Sequence, residues 1–184
     1  MPISKQLADL LTFTRAILSI FLALLGLLRG AAALPIAAWL MIVAWISDSL
    51  DGPLARRNPV RRQSWIGDHD LEVDMLAASG LLIYMAAAGF VSPLLASLYA
   101  LLWGAVFWRW GILRSLGMLY QAPIYGWFLY TALTLAPAAG FWMVGWILAV
   151  VVITWPRFPK EVVPGFLAGM REAWKVIRGR RIAS

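Results

Sequence analysis

Apolar residues run along this chain in long blocks, and polar residues collect in the gaps between them. Six blocks approach the roughly 20 predominantly apolar residues that a membrane-crossing helix needs: about 10–30, 32–51, 73–92, 93–113, 116–136 and 138–156. Their separators are short: Arg29-Gly30 with Pro35, Ser92-Pro93, and Pro137 ahead of Gly140. The fifth and sixth blocks are dense in Trp, Tyr and Gly, which leaves five or seven spans as alternatives. Beyond Pro156 the pattern changes. Val163, Leu167, Met170, Trp174 and Ile177 recur at a 4-3-4-3 spacing, which draws one apolar stripe on a helix, with Arg171, Lys175 and Arg178 off it. The expected fold is therefore all-α: one polytopic membrane domain over 1–184, six transmembrane helices, then a basic amphipathic helix over 160–184. Such a tail suits an anionic lipid leaflet or the protein's own surface.

Charge in the gaps orients the blocks. Lys5 and Arg15 precede or enter the first, Arg56, Arg57, Arg61 and Arg62 follow the second, Arg109 and Arg114 join the fourth to the fifth, and Arg157 onward follows the sixth. The alternate turns carry only Arg29. Positive residues favour the cytoplasmic side, so both termini and the gap 57–63 are expected there, in a membrane of the bacterial inner type. A cleaved signal peptide (apolar Ala16–Leu28, then Ala31-Ala32-Ala33) is the rival reading of the N-terminus. It would leave five spans and spoil the alternation.

Composition narrows the chemistry. Of 184 residues 62% are hydrophobic and 14% charged, against roughly 45–50% and about 25% in ordinary soluble domains. The 11 Trp suit a chain with much surface at membrane interfaces. With no Cys and one His, thiolate and histidine-rich metal sites are excluded, so a bound metal must rely on oxygen ligands. The net charge of +7 is mostly a basic tail and a basic loop. In so apolar a chain that favours an anionic bilayer over nucleic acid as partner.

Six of the nine acids (Asp48, Asp51, Asp68, Asp70, Glu72, Asp74) fall in one stretch, SDSLDGPLARRNPVRRQSWIGDHDLEVDM. Asp48 and Asp51 are three apart, Asp70 and Asp74 four apart, and on helices each spacing places two carboxylates on one face. If the two helices are neighbours, four carboxylates converge, and cations must neutralise them. One or two hard divalent ions with oxygen coordination fit that need. Acids at a helix mouth that merely pair with Arg57, Arg61 or Arg62 are the bland alternative. Gly52 allows close backbone approach to a ligand, Pro53 suggests a kink or restart beside the carboxylates, and Arg56 stands one turn on to meet phosphate oxygens. Metal and Arg beside an apolar bundle imply a phosphorylated or diphosphate substrate.

Asp48-Ser-Leu-Asp51-Gly52-Pro-Leu-Ala55-Arg56 followed by Asp70-Leu-Glu-Val-Asp74 resembles the signature of the CDP-alcohol phosphotransferase family, D-x2-D-G-x2-A-R, eight residues, G-x3-D-x3-D. The first nine positions match completely. Leu11-Thr12-Phe-Thr-Arg15 echoes a second family motif, Asn-x-Leu-Thr-x-x-Arg, with Asp9 in place of the Asn. The second half of the signature departs: its third Asp would fall on His69, and Gly67 precedes Asp70 by three positions rather than four. Asp68 with Glu72 is a competing pair, one place early. Asp70 and Asp74 are preferred because both are Asp and the third apolar block opens directly after them.

The resemblance implies an enzyme of phospholipid synthesis that transfers a phosphatidyl-type group from CDP-diacylglycerol to an alcohol, releasing CMP. It implies two ions, Mg²⁺ or Mn²⁺, on Asp48, Asp51, Asp70 and Asp74, with Asp74 also the general base. Asp48, Asp51, Gly52, Ala55 and Arg56 would hold the nucleotide diphosphate. Arg109 and Arg114 are candidates for an acceptor phosphate, such as that of glycerol 3-phosphate or inositol phosphate, unless they are topological anchors, an ambiguity Arg15 shares. A homodimer is compatible with this reading. A metal-ion transport protein and a catalytically silent relative are the competing functions.

Overall fold

The computed structural model describes residues 3–56 and 70–182, with side chains described at 10, 12–49 and 71–179. The basic gap 57–69, with Gly67, Asp68 and His69, lies outside them. All the regular structure described is helical: α1 (Ile3–Arg29), α2 (Leu34–Arg56), α3 (Asp70–Ala87), α4 (Pro93–Trp110), α5 (Arg114–Leu135), α6 (Pro137–Ile153) and α7 (Val163–Ile182). The first six fall on the six apolar blocks, and α7 on the amphipathic tail.

The breaks between helices come from local chemistry. Gly30, at φ 56°, turns the chain through a short 3₁₀ segment, Gly30–Ala33, into α2. Ser92 caps α4, its hydroxyl accepting from the Leu95 amide at 3.2 Å, and Pro93 follows at a position where its missing N–H costs nothing. Pro137 likewise opens α6. Of the kink or restart expected at Pro53, the restart does not appear: α2 continues through Gly52-Pro53 to Arg56. A single proline frees one carbonyl, that of Ser49, which near a helix end need not interrupt the turn.

Contacts between helices fix their directions. Arg15 meets Asp74, Ser19 meets Leu76, and Gly26 lies against Tyr84, so partners advance together and α1 runs parallel to α3. Gly117 against Leu71 and Tyr120 against Ser79 make α5 parallel to α3 as well. The short turns reverse α2, α4 and α6. Among α1 to α6, odd helices therefore point one way and even helices the other. The α1–α3 contact is close because it uses small residues: a Cβ on Gly80 would lie 2.3 Å from the Ser19 carbonyl oxygen. Leu22, Ala37, Met41, Leu81, Tyr84 and Phe128 are fully buried at the centre of the bundle.

Large apolar side chains also cover the outside, among them Leu28, Leu94, Leu101, Trp108, Phe141 and Ile153. Contiguous exposed apolar surface on this scale marks a surface that meets lipid or protein. By length and apolarity, one helical stretch among the described residues is sufficient to cross a membrane, Thr12–Ser49, which contains the α1–α2 turn. Pro137–Ile153 with Phe158–Gly179 passes as a second only if the two, bent by 83°, count as one span. The other helices are diluted by Asp70, Glu72 and Asp74 in α3, and by Trp, Tyr and Gly in α4 and α5.

Candidate active site at the acidic end of the bundle

The two described carboxylates of the signature, Asp48 and Asp74, meet at one cation. The Arg15 guanidinium, on α1, donates through Nη1 to Asp48 Oδ1 on α2 at 2.7 Å and to Asp74 Oδ1 on α3. Its other terminal nitrogen donates to Thr12 Oγ1, one turn back, at 3.4 Å. Arg15 is 2% exposed, while the side chains of Asp48 and Asp74 are 51% and 27% exposed. The cation is thus sealed inside the helix junction and the acids face outward from it. Two oxygens bonded to one nitrogen are within about two hydrogen-bond lengths, some 5–6 Å, of each other. The convergence expected of α2 and α3 is present at this pair.

Asp51 follows Asp48 by three residues within α2, and Asp70 opens α3 four residues before Asp74. The side chains of Asp51, Gly52, Ala55, Arg56 and Asp70 lie outside the described ones. Glu72, the rival in register, stands about 160° round α3 from Asp74 at 100° per residue. Asp74, not Glu72, is the α3 acid on Arg15. Among the described residues no group of three or more His, Cys, Asp and Glu gathers.

Tyr125, on α5, is close enough to the site to feel its charges. It lies within electrostatic reach of Asp74, Asp48 and Arg15, and its ring meets Trp45 edge-on with centroids 5.8 Å apart. No spacing signal in the sequence distinguishes Tyr125 from the other aromatics of α5. Arg15 was detectable. An arginine set within an apolar block must be paired if it is buried, and the Leu-Thr-x-x-Arg echo points to the same residue. The hydroxyls beside Asp48 are committed locally: Ser47 donates to the Val43 carbonyl and Ser49 to that of Trp45.

Of the two basic candidates for an acceptor site, Arg114 lines a described groove. Arg109 lies over the adjacent Trp110 ring, 5.7 Å from its centroid. Arg114 lines a groove of about 680 Å³ with Met118, Thr154, Arg157, Phe158 and Phe166, on the α6–α7 side of α5, and Arg109 is not part of it. Across the groove Arg157 pairs with Glu161 at 2.7 Å.

The donor set fits a hard divalent cation. Carboxylate oxygens from two helices, those of Asp48 and Asp74, converge on one positive group, and oxygen donors of this kind are what a hard divalent cation takes. No family, curated protein or solved structure matches the chain.

Proposed function

We propose that this chain is a membrane-embedded transferase of the CDP-alcohol phosphotransferase type, moving a phosphatidyl-type group from CDP-diacylglycerol to an alcohol with release of CMP. The observation that carries the reading is the meeting of Asp48 and Asp74 on Arg15 at the end of an apolar bundle, in a chain whose residues 48–56 match the family's signature position for position. Six helices of alternating direction with apolar exteriors support six spans, with the acidic end and both termini in the cytoplasm of a bacterial-type cell.

In this reading Asp48, Asp51, Asp70 and Asp74 would hold Mg²⁺ or Mn²⁺, which supplies charge neutralisation to the diphosphate. Arg56, at the end of α2, adds a guanidinium for the phosphate oxygens. The acceptor hydroxyl attacks the phosphorus that carries the diacylglycerol. A P–O bond forms to the acceptor, the P–O bond to CMP breaks, and the acceptor proton passes to the Asp74 carboxylate. Arg15 is a positioning residue: it ties α1 to both acids and holds Asp74 towards α2. The apolar helix faces leave acyl chains in lipid while the head group meets the acids near water.

A cation pathway would need polar groups through the depth of the bundle, whereas its centre is Leu22, Met41, Leu81 and Phe128. Purified protein in lipid, given CDP-diacylglycerol and a panel of alcohols and sugar phosphates, should release CMP with at least one acceptor. Release should stop on chelation and return with Mg²⁺ or Mn²⁺. Absence of release with every acceptor would leave a silent relative as the better reading.

A further inference from the structure

The tail helix α7 leaves the bundle nearly at a right angle, with an axis 83° from that of α6. If α6 crosses the membrane, α7 lies along its surface. Its residues divide into three faces. Phe166, Gly169 and Ala173 turn towards the bundle: Ala173 is buried, and Gly169 sits so close to Ser115 that an added Cβ would lie 2.1 Å from the hydroxyl. About a quarter turn round, at 100° per residue, Val163, Leu167 and Trp174 form an exposed apolar strip. Met170 and Ile177, expected on the same stripe, are partly turned inward instead. Next to the strip come Arg171, Lys175 and Arg178, and the Arg178 guanidinium lies 5.6 Å from the centre of the Trp174 ring. From Arg157 onward the chain carries seven basic and two acidic residues.

We infer that α7 is a docking helix for the anionic leaflet on the acidic-site side, with Val163, Leu167 and Trp174 entering the acyl boundary and Arg171, Lys175 and Arg178 on lipid phosphates. An axis along the bilayer plane, an apolar strip with a basic edge, and a third face packed on the protein are together the requirements of an interfacial helix. The charge selects the lipid, since each Lys or Arg near an anionic surface adds to the attraction. Trp174 beneath Arg178 suits the head-group level, where an amphipathic ring is stable. The inference rests on α6 crossing the membrane and not on the proposed chemistry.

The chain has no Cys, so single probes are clean. Leu167→Cys and Glu172→Cys, both at exposed positions, would be labelled with an environment-sensitive fluorophore. The full-length protein would be placed in nanodiscs of phosphatidylglycerol with phosphatidylcholine, or of phosphatidylcholine alone, each with a lipid-borne quencher. The Leu167 probe should be quenched in the anionic discs. That quenching should weaken in neutral discs, in high salt, and in an Arg171→Gln, Lys175→Gln, Arg178→Gln background, while the Glu172 probe stays unquenched throughout. An unquenched Leu167 probe in anionic discs would overturn the inference. So would equal quenching in both lipids with no effect of the Gln substitutions, or Leu167–Leu167 cross-linking between copies in place of quenching. None of these readouts depends on turnover, so a failure of the transferase reading is seen separately.

Discussion

Arg15 reaches Asp48 across 33 residues of sequence, Nη1 to Oδ1 at 2.7 Å, and the same nitrogen binds Asp74. Three helices are thereby pinned at one point, with the cation buried and the anions outward. Removing Arg15 costs about 1–3 kcal/mol, less than breaking a fully buried pair, because the outward-facing carboxylates left behind are partly hydrated. Arg15→Met should lower thermal stability in detergent by that order, and adding Asp74→Asn should recover part of the loss. A variant that unfolds with the wild-type protein would show the cluster to be a weak surface pair. The Arg15→Lys variant keeps the charge but not the forked geometry, and should fall between.

The register of the α3 acids can be separated by function. Asp74→Asn keeps a coordinating oxygen but cannot take a proton, and should cut turnover by about 100-fold or more while nucleotide binding by calorimetry survives. Glu72→Gln, on another face of α3, should change turnover by no more than a factor of about two. Turnover lost in Glu72→Gln and kept in Asp74→Asn would assign the chemistry to the other pair.

The α1–α3 contact predicts opposite outcomes at two glycines. Gly80→Val drives a side chain into the Ser19 carbonyl, 2.3 Å from the added Cβ, and should destabilise by about 1–3 kcal/mol or more. Gly104→Ala on α4 meets nothing within 4 Å and should be neutral or stabilise by up to about 1 kcal/mol through helix propensity. Thermal unfolding of the two variants checks the pair, and equal stability would contradict the close packing that positions Arg15.

The proposed six spans predict sidedness. Cys introduced at Ser92, in the α3–α4 turn, and at Gly179, on α7, should react with an impermeant thiol reagent from opposite sides of a sealed vesicle. Labelling of both from one side would break the alternation and detach the acids from a cytoplasmic nucleotide.

Much of this fold was legible because apolar block length and Pro or Gly punctuation act locally. The helices fall on the blocks, and Gly30, Ser92-Pro93 and Pro137 mark their ends. The restart at Pro53 is absent for a local reason too, since a helix near its end tolerates one missing donor. The site was half legible. Spacing put Asp48 and Asp74 on helix faces, but that one buried Arg joins them depends on how α1 packs on α3, through Gly80 and Ser19, which no local pattern encodes. Tyr125 reaches the acids only through the placement of α5. Arg109 and Arg114 fall on two elements, the end of α4 and the start of α5, because a helix break lies between them. On α7, periodicity found the stripe, while the bundle contact shifted Met170 and Ile177 inward.

The central claim, that Asp48 and Asp74 jointly work on a nucleotide-linked phosphate, is tested most directly by CMP release from CDP-diacylglycerol in lipid with Mg²⁺ present. Wild-type protein and Asp48→Ala would be compared, with circular dichroism confirming that the variant is folded. The account predicts acceptor-dependent release by the wild type and a loss of about 100-fold or more in Asp48→Ala, the scale seen when a preorganised electrostatic partner is removed. Release by folded Asp48→Ala at the wild-type rate would contradict it.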